Sequence, residues 1–272
     1  MNPIPLLVSL DANYLPQLRV LLTSLWLNHP GQPFSVYLLH RSLTPDQLDT
    51  LAQYCQRRNM ELHPVLVPEA LFAHAPVSKQ YPQEMYYRLL AGQLLEDSLD
   101  KILYLDPDTL VINDLRPLWE TQLGDRIFAA AAHTGKTELA NSINQIRLGT
   151  HRRYFNSGVL LINLKAARQK IDPEQLFAFT AAHSMELVLP DQDLLNLLYS
   201  EQILELDDAI WNYDARNFNN YFLRSGGTQT TDWVMQHTAI LHFCGKAKPW
   251  KPRYRHRFGI LYKHYQQLAD RL

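Results

Sequence analysis

Short apolar segments alternate with segments of helical periodicity through the first hundred residues of the chain. Residues 5–10 and 34–39 are apolar runs of strand length, and the leucines from Leu15 to Leu25 between them recur at helical spacing. This alternation is typical of βαβ units, whose strands lie parallel in one sheet. We therefore predict a single-domain α/β fold with a Rossmann-like, mostly parallel sheet flanked by helices.

The same two patterns predict most of the remaining elements. We expect further strands at residues 61–67, 101–105, 127–132 and 159–163, and further helices at residues 83–95, 173–183 and 194–199. Another helix follows Thr44, which is placed to cap it together with Gln47. The sequence contains no glycine-rich dinucleotide fingerprint and no Walker phosphate loop, which argues against dehydrogenases and P-loop enzymes.

Charge is nearly balanced over the whole chain but not along it. The 26 Lys and Arg against 27 Asp and Glu give a formal net charge of -1, which argues against a nucleic-acid-binding protein. From Lys246 to the end, however, eight basic residues stand against one acid, Asp270. This basic segment predicts contact with something anionic, either a phosphate-bearing ligand or a membrane surface.

The cysteines and the first residues bear on the compartment. Cys55 and Cys244 are too few to indicate a disulfide framework. The first ten residues lack the basic region and the long apolar run of a signal peptide or membrane span. We expect a cytoplasmic protein, either soluble or attached peripherally to the inner face of the membrane.

Two carboxylates directly follow the predicted strand at residues 101–105. Asp106 and Asp108 are separated by Pro107, and side chains two residues apart in an extended segment point the same way. Oxygen ligands at a strand end suit Mg²⁺ or Mn²⁺, which complete their coordination shell from phosphates and water. A turn without a ligand is the alternative interpretation.

Three further segments combine polar residues with a predicted element. His242 follows an apolar run and precedes Gly245 and Lys248, which makes it either a metal ligand or a structural histidine. Asn156 precedes a strand, as a sugar-binding residue or as part of a turn. Asp191 opens a helix, either in the site or as its N-cap.

Several strings, taken in order, resemble glycosyltransferase family 8, the retaining enzymes that include glycogenin and bacterial lipopolysaccharide galactosyl- and glucosyltransferases. The resemblance spans residues 6 to about 258, and the strings are DANY, YRL, YLDPDTLV, FNSGVLLIN, DQDLLN and HFCGKAKPW. It implies a GT-A fold, a UDP-hexose donor with galactose or glucose, Mn²⁺ or Mg²⁺ as cofactor, and a glycan or lipid-linked glycan acceptor.

The resemblance also implies roles for individual residues. The metal ligands would be Asp106, Asp108 and His242. The donor-binding residues would be Asp11, Asn13, Tyr14, Arg88, Asn156, Gly245 and Lys248, and the catalytic candidates Gln192, Asp193 and Asp191. Two positions depart from the family's pattern: Ala12 lies where relatives often have a polar residue, and His133 where many have an acid.

We expect the transferase domain to span residues 1–250 and the last 22 residues to form a separate basic, aromatic tail. In residues 251–272 aromatic and basic side chains interleave, which is typical either of an amphipathic segment on an anionic membrane or of a helix docked through Phe258, Leu261, Tyr262 and Tyr265.

Two functions other than glycosyl transfer stay open. A metal-dependent nucleotidyltransferase or nucleotide-sugar hydrolase would use the same aspartates but release a nucleoside monophosphate. A non-catalytic nucleotide-sugar-binding protein would have little need for all of the charged candidate residues.

Overall fold

The computed structural model describes residues 1–77, 83–132, 153–184 and 187–271, and these residues contain two β-sheets. The strands of the larger sheet are β1 (Ile4–Ser9), β2 (Phe34–His40), β3 (Met60–Leu66), β4 (Lys101–Leu105), β6 (Phe128–Ala132), β7 (Phe155–Asn163) and β8 (Ile203–Leu206). The strands of the smaller sheet are β5 (Thr109–Val111), β9 (Tyr213–Asp214) and β10 (Ile240–His242).

Helices connect the strands and flank the larger sheet. They are α1 (Leu15–Asn28), α2 (Pro45–Gln56), α3 (Ala91–Leu94), α4 (Arg116–Trp119), α5 (Leu164–Lys170), α6 (Pro173–Ala182), α7 (Pro190–Tyr199), α8 (Asp208–Trp211), α9 (Phe218–Arg224), α10 (Thr231–His237) and α11 (Gly259–Arg271). Short 3-10 helices lie at Ala12–Tyr14, Glu69–Phe72, Gln83–Tyr86 and Ser200–Gln202. The predicted capping box is confirmed, because Thr44 and Gln47 cap α2 reciprocally.

The larger sheet has the order β3-β2-β1-β4-β7-β6-β8, and only β7 runs antiparallel to its neighbours. This confirms the predicted α/β fold with a mostly parallel sheet. Since β1 and β4 are parallel neighbours, with Leu6 opposite Leu103, their carboxyl ends meet at one edge. The loops that begin at Asp11 and Asp106 therefore lie side by side, where open α/β sheets bind their ligands.

Apolar side chains cover both faces of the larger sheet, as expected for strands buried between helices. Leu6 and Val8 belong to the core on one face and Leu7 to the core on the other. Alternate residues of a strand point to opposite faces, so one short run supplies both layers. The site lies at the strand ends, outside this core.

The smaller sheet brings a distant part of the chain to the edge of the larger one. Strand β10 lies between β5, to which it is antiparallel, and β9, to which it is parallel. His242 is paired with Thr109, and the amide of Phe243 donates to the carbonyl of Asp108. The HFCGKAKPW segment that begins at His242 is thus fixed against the turn at residues 106–108 by backbone hydrogen bonds.

The predicted helix at residues 83–95 is wrong. The structure has a 3-10 helix at Gln83–Tyr86 and a single α-helical turn at Ala91–Leu94, with turns between them. Tyr86, Tyr87 and the two leucines that follow Arg88 are all buried. An amphipathic surface helix buries one face only, so consecutive buried side chains favour an irregular path that still lets Arg88 reach the site.

Two other boundaries differ from the predictions. Strand β7 begins at Phe155 rather than at residue 159, so Asn156 lies inside a strand and not in a turn. Helix α7 begins at Pro190 with Leu189 at its N-cap position and no side-chain cap there. The N-cap interpretation of Asp191 is therefore wrong, because Asp191 lies within the first turn.

Helix α11 packs on the body of the protein. Phe258 and Tyr262 are buried against Phe243 and Tyr213, and the amide of Asn28 in α1 donates to the hydroxyl of Tyr265. The helices that the structure describes are each too short or too polar to traverse a lipid bilayer.

Candidate active site

A tight turn between β4 and β5 orients the two aspartates. The amide and the hydroxyl of Thr109 both donate to the carbonyl oxygen of Asp106, over 3.1 and 2.8 Å. The amide of Asp106 donates to the carbonyl of Gly158 in β7 over 2.8 Å. These bonds hold the turn between two strands, so the carboxylates of Asp106 and Asp108 are directed by the sheets and not by a mobile loop.

Asp106, Asp108 and His242 form a compact group of possible metal ligands. One ligand atom from each lies within 4.8 Å of the others. Nε2 of His242 lies 3.3 Å from Oδ1 of Asp108 and 3.9 Å from Oδ2 of Asp106. Two carboxylates and an imidazole suit Mn²⁺, and suit Mg²⁺ through the carboxylates.

Gly158 leaves the space in which this group assembles. A Cβ at this position would lie 2.3 Å from Cε1 of His242 and 2.7 Å from Oδ2 of Asp106. Any other residue would push two of the three ligands apart. The residues present therefore fit a divalent cation both in their chemistry and in the room given to them.

Charge stabilises the buried carboxylate of Asp108. It forms ion pairs with His242 and with Nζ of Lys248, which also donates to the carbonyl of Phe243. Burial alone would raise the pKa of Asp108, but the charges and hydrogen bonds of His242 and Lys248 outweigh it and lower that pKa. Burial likewise opposes the charged imidazole, yet Cys244 and Asp108 raise the pKa of His242 well above its usual value.

Arg88 bridges two of the acidic residues. Its Nη1 lies 3.1 Å from Oδ1 of Asp106 and 3.1 Å from Oδ2 of Asp191. The guanidinium also donates to the carbonyl of Ser157 and lies over the ring of Tyr104, 4.6 Å from its centroid. Burial would lower the pKa of Arg88, but Asp106 and its other partners outweigh it and raise that pKa. Arg88 therefore remains charged.

Gln192 and Asn156 contact each other rather than standing as separate ligands. Nδ2 of Asn156 donates to Oε1 of Gln192 over 3.0 Å. Oδ1 of Asn156 accepts from the amide of Gly158 and from Nδ2 of Asn212, each over 2.9 Å. Asn212 in turn lies 2.9 Å from Nδ1 of His242 through its Oδ1. The sugar-side candidates are thus connected to the metal-ligand group.

Asp193 has different surroundings from its neighbours in the sequence. Its side chain is fully buried, one oxygen accepts from the hydroxyl of Tyr154, and the other accepts from the amides of Val188 and Leu189 over 2.7 and 2.9 Å. These bonds hold the chain that leads into α7. Asp191, by contrast, lines the cavity described next and accepts from the hydroxyl of Ser157.

A cavity of about 420 Å³ opens at the edge shared by β1 and β4. It is lined by Ser9, Leu10, Asp11, Tyr14, Glu84, Met85, Arg88, Asp106, Pro107, Asp108 and Asp191. Tyr14 also lines a second cavity, of about 610 Å³, together with Asn13, Gln17, Gly245, Lys246, Lys248, Trp250 and Lys251. The expected donor-binding residues other than Asn156 therefore line two adjoining spaces, an acidic one and a basic one, whereas Asn156 lines neither of them.

The loop that contains the expected donor-binding residues Asp11, Asn13 and Tyr14 is held in shape by its own side chains. Oδ1 of Asp11 caps the 3-10 helix by accepting from the amide of Asn13 over 2.8 Å. The ring of Tyr14 is 37% exposed and meets Trp250 edge to face at 6.2 Å. On the far side, Gly245 has a φ of 77°, and a side chain there would collide with the guanidinium of Arg216.

Three residues of this site were not predicted from the sequence. Tyr104 donates to Oδ1 of Asp106 over 2.6 Å, Ser157 connects Arg88 to Asp191, and Asn212 supports His242. Tyr104 and Ser157 lie inside the strings that carry the family resemblance, which is a signal that was available. Asn212 belongs to no recognisable motif. His133, the second departure from the family pattern, lies outside the described residues.

Known proteins resemble the chain in sequence and in fold. The model of the family described as glycosyl transferase family 8 matches residues 5–253. General stress protein A of Bacillus subtilis strain 168 is 28% identical over 263 residues, which is 94% of this chain and 90% of that protein. Lipopolysaccharide 1,2-glucosyltransferase of Escherichia coli is 24% identical over 249 residues, covering 89% of this chain and 71% of the relative.

A crystal structure gives the fold comparison. The galactosyltransferase LgtC, in complex with donor and acceptor sugar analogs, superimposes with a TM-score of 0.81 at 25% sequence identity. The superposition covers 97% of this chain and 96% of LgtC. It confirms the predicted GT-A arrangement of the sheet and its helices.

Proposed function

The chain belongs to glycosyltransferase family 8 and is a glycosyltransferase, and from that premise we propose that it transfers galactose or glucose from a UDP-sugar with retention, using Mn²⁺. The observation that carries the proposal is the group of Asp106, Asp108 and His242 beside a cavity that both aspartates and Arg88 line. Carboxylates and an imidazole at the carboxyl ends of the strands are suited to hold a diphosphate through a cation.

The departing UDP is where negative charge develops. Asp106, Asp108 and His242 would hold a Mn²⁺ that, when bound, neutralises part of the diphosphate charge. Lys248 stands beside Asp108 with its ammonium directed into the same group, and we assign it to a phosphate oxygen. Gly245 lines the same cavity as Lys248, and we assign its backbone to the diphosphate as well. Charge stabilisation of this kind is often the largest contribution to catalysis.

The sugar side carries the opposite charge in the transition state. Asp191 lines the cavity and is oriented by Arg88 and Ser157. We propose that Asp191 and Gln192 act on the sugar, since the fixed carboxylate of Asp191 stabilises positive charge at the anomeric carbon and the amide of Gln192 offers hydrogen bonds to the sugar. Asp193, whose oxygens are all occupied inside the protein, is proposed to position α7 rather than to act on the sugar.

Uridine is proposed to bind beside β1. Asp11 and Asn13 offer hydrogen-bonding groups at an exposed loop, and the partly exposed ring of Tyr14 offers a stacking surface. The acceptor is proposed to be a glycan or lipid-linked glycan, supported by the names of relatives such as the lipopolysaccharide 1,2-glucosyltransferase. The basic residues after Trp250 are proposed to meet an anionic membrane surface that carries such an acceptor.

Ligand-dependent melting tests the donor and the metal together. We would measure the melting temperature with UDP-galactose, UDP-glucose, UDP-GlcNAc and GDP-mannose, each with and without Mn²⁺, because a ligand that binds only the folded state stabilises it. A ligand at about 100 times its Kd adds roughly 2.7 kcal/mol. We expect a Mn²⁺-dependent increase with one UDP-hexose, and an equal increase with GDP-mannose would contradict the uridine assignment.

Substitution and product analysis complete the test. Asp108→Asn is expected to abolish the Mn²⁺-dependent increase and to lower transfer at least about 100-fold, as loss of a metal-bound charge does. Asp97→Asn is the matched control, because its side chain is 97% exposed and its ion pair, with Arg168, lies on the surface. The wild type should release UDP. Release of UMP would favour a nucleotide-sugar hydrolase instead.

A further inference from the structure

Three side-chain amides form a continuous hydrogen-bonded chain from His242 to Gln192. Nδ1 of His242 meets Oδ1 of Asn212 at 2.9 Å, and Nδ2 of Asn212 meets Oδ1 of Asn156 at 2.9 Å. Nδ2 of Asn156 then meets Oε1 of Gln192 at 3.0 Å. The chain thus joins the metal-ligand group to a residue assigned to the sugar.

The direction of this chain is fixed by a backbone group. The amide of Gly158 lies 2.9 Å from the amide side chain of Asn156, and a backbone N–H can only donate. The atom of Asn156 that faces it must be oxygen. That oxygen also faces Asn212, which must then offer its NH₂, while the NH₂ of Asn156 must face Gln192. The polarity follows from Gly158 without assuming any amide orientation.

At one end of the chain this polarity selects the tautomer of His242. The NH₂ arm of the Asn212 amide faces Asn156, so the opposite arm, which faces His242, is the oxygen. Nδ1 of His242 must therefore carry a hydrogen, and the lone pair needed to bind a cation lies on Nε2. Nε2 is the nitrogen that faces Asp106 and Asp108. Hydrogen bonds of this kind commonly orient histidine ligands.

At the other end the polarity selects which half of Gln192 a ligand meets. The NH₂ of Asn156 holds the carbonyl oxygen of Gln192 toward β7. The NH₂ of Gln192 is then the half that points away from β7. A hydrogen-bond donor at that position suits a sugar hydroxyl or the ring oxygen.

We propose that Asn212 is a positioning residue that fixes both His242 as an Nε2 ligand and Gln192 as an NH₂ donor to the transferred sugar. The proposal rests on the proposed function for the identity of the ligands. Asn212 is fully buried, so it touches neither UDP nor the sugar itself. It lies 30 residues before His242 in the sequence.

Two substitutions of Asn212 separate its two actions. In Asn212→Asp a carboxylate still accepts a hydrogen bond from His242. Its other oxygen faces the oxygen of Asn156, so the hydrogen bond between residues 212 and 156 is lost. In Asn212→Ala both bonds are lost. We expect N212D to bind Mn²⁺ as tightly as the wild type while its kcat falls about 10–100-fold, and N212A to lose about 10–100-fold in Mn²⁺ affinity as well, the usual effect of removing such a partner.

Mn²⁺ binding is measured by the electron paramagnetic resonance signal of the free ion in the presence of UDP, and kcat by release of UDP from the donor identified by melting. Asn113→Ala is the matched control, because the side-chain amide of Asn113 also makes two hydrogen bonds, here to the carbonyls of Met235 and Thr238, away from the site. It should lose stability without changing Mn²⁺ affinity or kcat.

The outcomes distinguish this proposal from the proposed function. Failure of the wild type to bind Mn²⁺ with UDP overturns the proposed function itself. If the wild type binds and N212A binds equally well, or if N212D and N212A are indistinguishable in both measurements, Asn212 does not position His242. Gln192→Glu, which offers oxygens only, should lose kcat while it keeps Mn²⁺ affinity, and full activity in Q192E would overturn the NH₂ assignment.

Discussion

Replacing Gly158 by alanine tests the geometry of the site with a single methyl group. The added Cβ would lie 2.3 Å from Cε1 of His242 and 2.7 Å from Oδ2 of Asp106. Carbon atoms in contact stay about 3.5 Å apart, so the imidazole must retreat by roughly 1 Å. Metal sites tolerate deviations of only about 0.2 Å in their ligand distances, and His242 is confined by its own bonds to Asn212 and the smaller sheet.

We expect G158A to lose affinity and stability together. Overpacking of a dense interior costs about 1–3 kcal/mol, which corresponds to a decrease of roughly 2–12 °C in Tm for a domain of this size. A displacement of about 1 Å at a reacting group costs on the order of 100-fold in rate. Mn²⁺ affinity, donor kcat/KM and Tm are the three measurements.

Gly124→Ala is the control for a loss of stability without a change in the site. Gly124 has a φ of 57°, and a Cβ there meets no atom within 4 Å. Alanine at that backbone conformation costs about 1–2 kcal/mol, so its Tm should decrease by a similar amount. If G158A binds Mn²⁺ and transfers sugar as well as G124A does, the proposed arrangement of Asp106, Asp108 and His242 around Gly158 is refuted.

Further predictions concern charge. Arg88→Lys should lower donor kcat/KM about 10–100-fold in steady-state assays, because one ammonium cannot reproduce the planar fork of a guanidinium between two carboxylates. Burial lowers the pKa of His29, so below about pH 6.5 the unfolded chain binds a proton before the folded one. Stability should therefore fall as pH falls from 6.5, by up to about 1.4 kcal/mol per unit, and less steeply in His29→Asn, as measured by urea unfolding at pH 5–7. Replacing the exposed Arg253, Arg255 and Arg257 by glutamine should weaken the affinity for anionic vesicles by roughly 3 kcal/mol, or about 100-fold, as measured by cosedimentation. Unchanged cosedimentation would argue against binding to a membrane surface.

The parts of the fold set by local pattern were predicted correctly. Residues 101–105 form a strand because a short apolar run ends in a turn, and Thr44 caps α2 because its hydroxyl and the side chain of Gln47 serve each other's backbone. The alternation of strands and helices also predicted the mostly parallel sheet, in which the structure then places β1 and β4 side by side. These inferences need only periodicity, capping and the geometry of parallel strands.

The parts set by long-range contacts were not predictable in the same way. The path of residues 83–95 depends on the burial of Tyr86 and Tyr87 and on the ion pair between Arg88 and Asp106. Asn212 gains its role only because β9 lies beside β10 in the smaller sheet, next to His242. A single polar residue in a sequence does not reveal which distant groups will face it, so such positions are found from the fold.

The charged side chains of the site follow one another with alternating sign. Through successive ion-pair contacts the order is Asp191, Arg88, Asp106, His242, Asp108 and Lys248. Buried carboxylates without partners would be strongly destabilising, and here each has a cation beside it, provided His242 carries its proton, as its raised pKa favours. A divalent cation held by Asp106, Asp108 and His242 would supply the positive charge that the imidazolium otherwise supplies, and Lys248 would then be available to a phosphate oxygen as well as to Asp108. The alternating charges therefore stabilise the buried aspartates when no metal is bound. When a metal is bound, they leave Lys248 free to contact a phosphate of the donor.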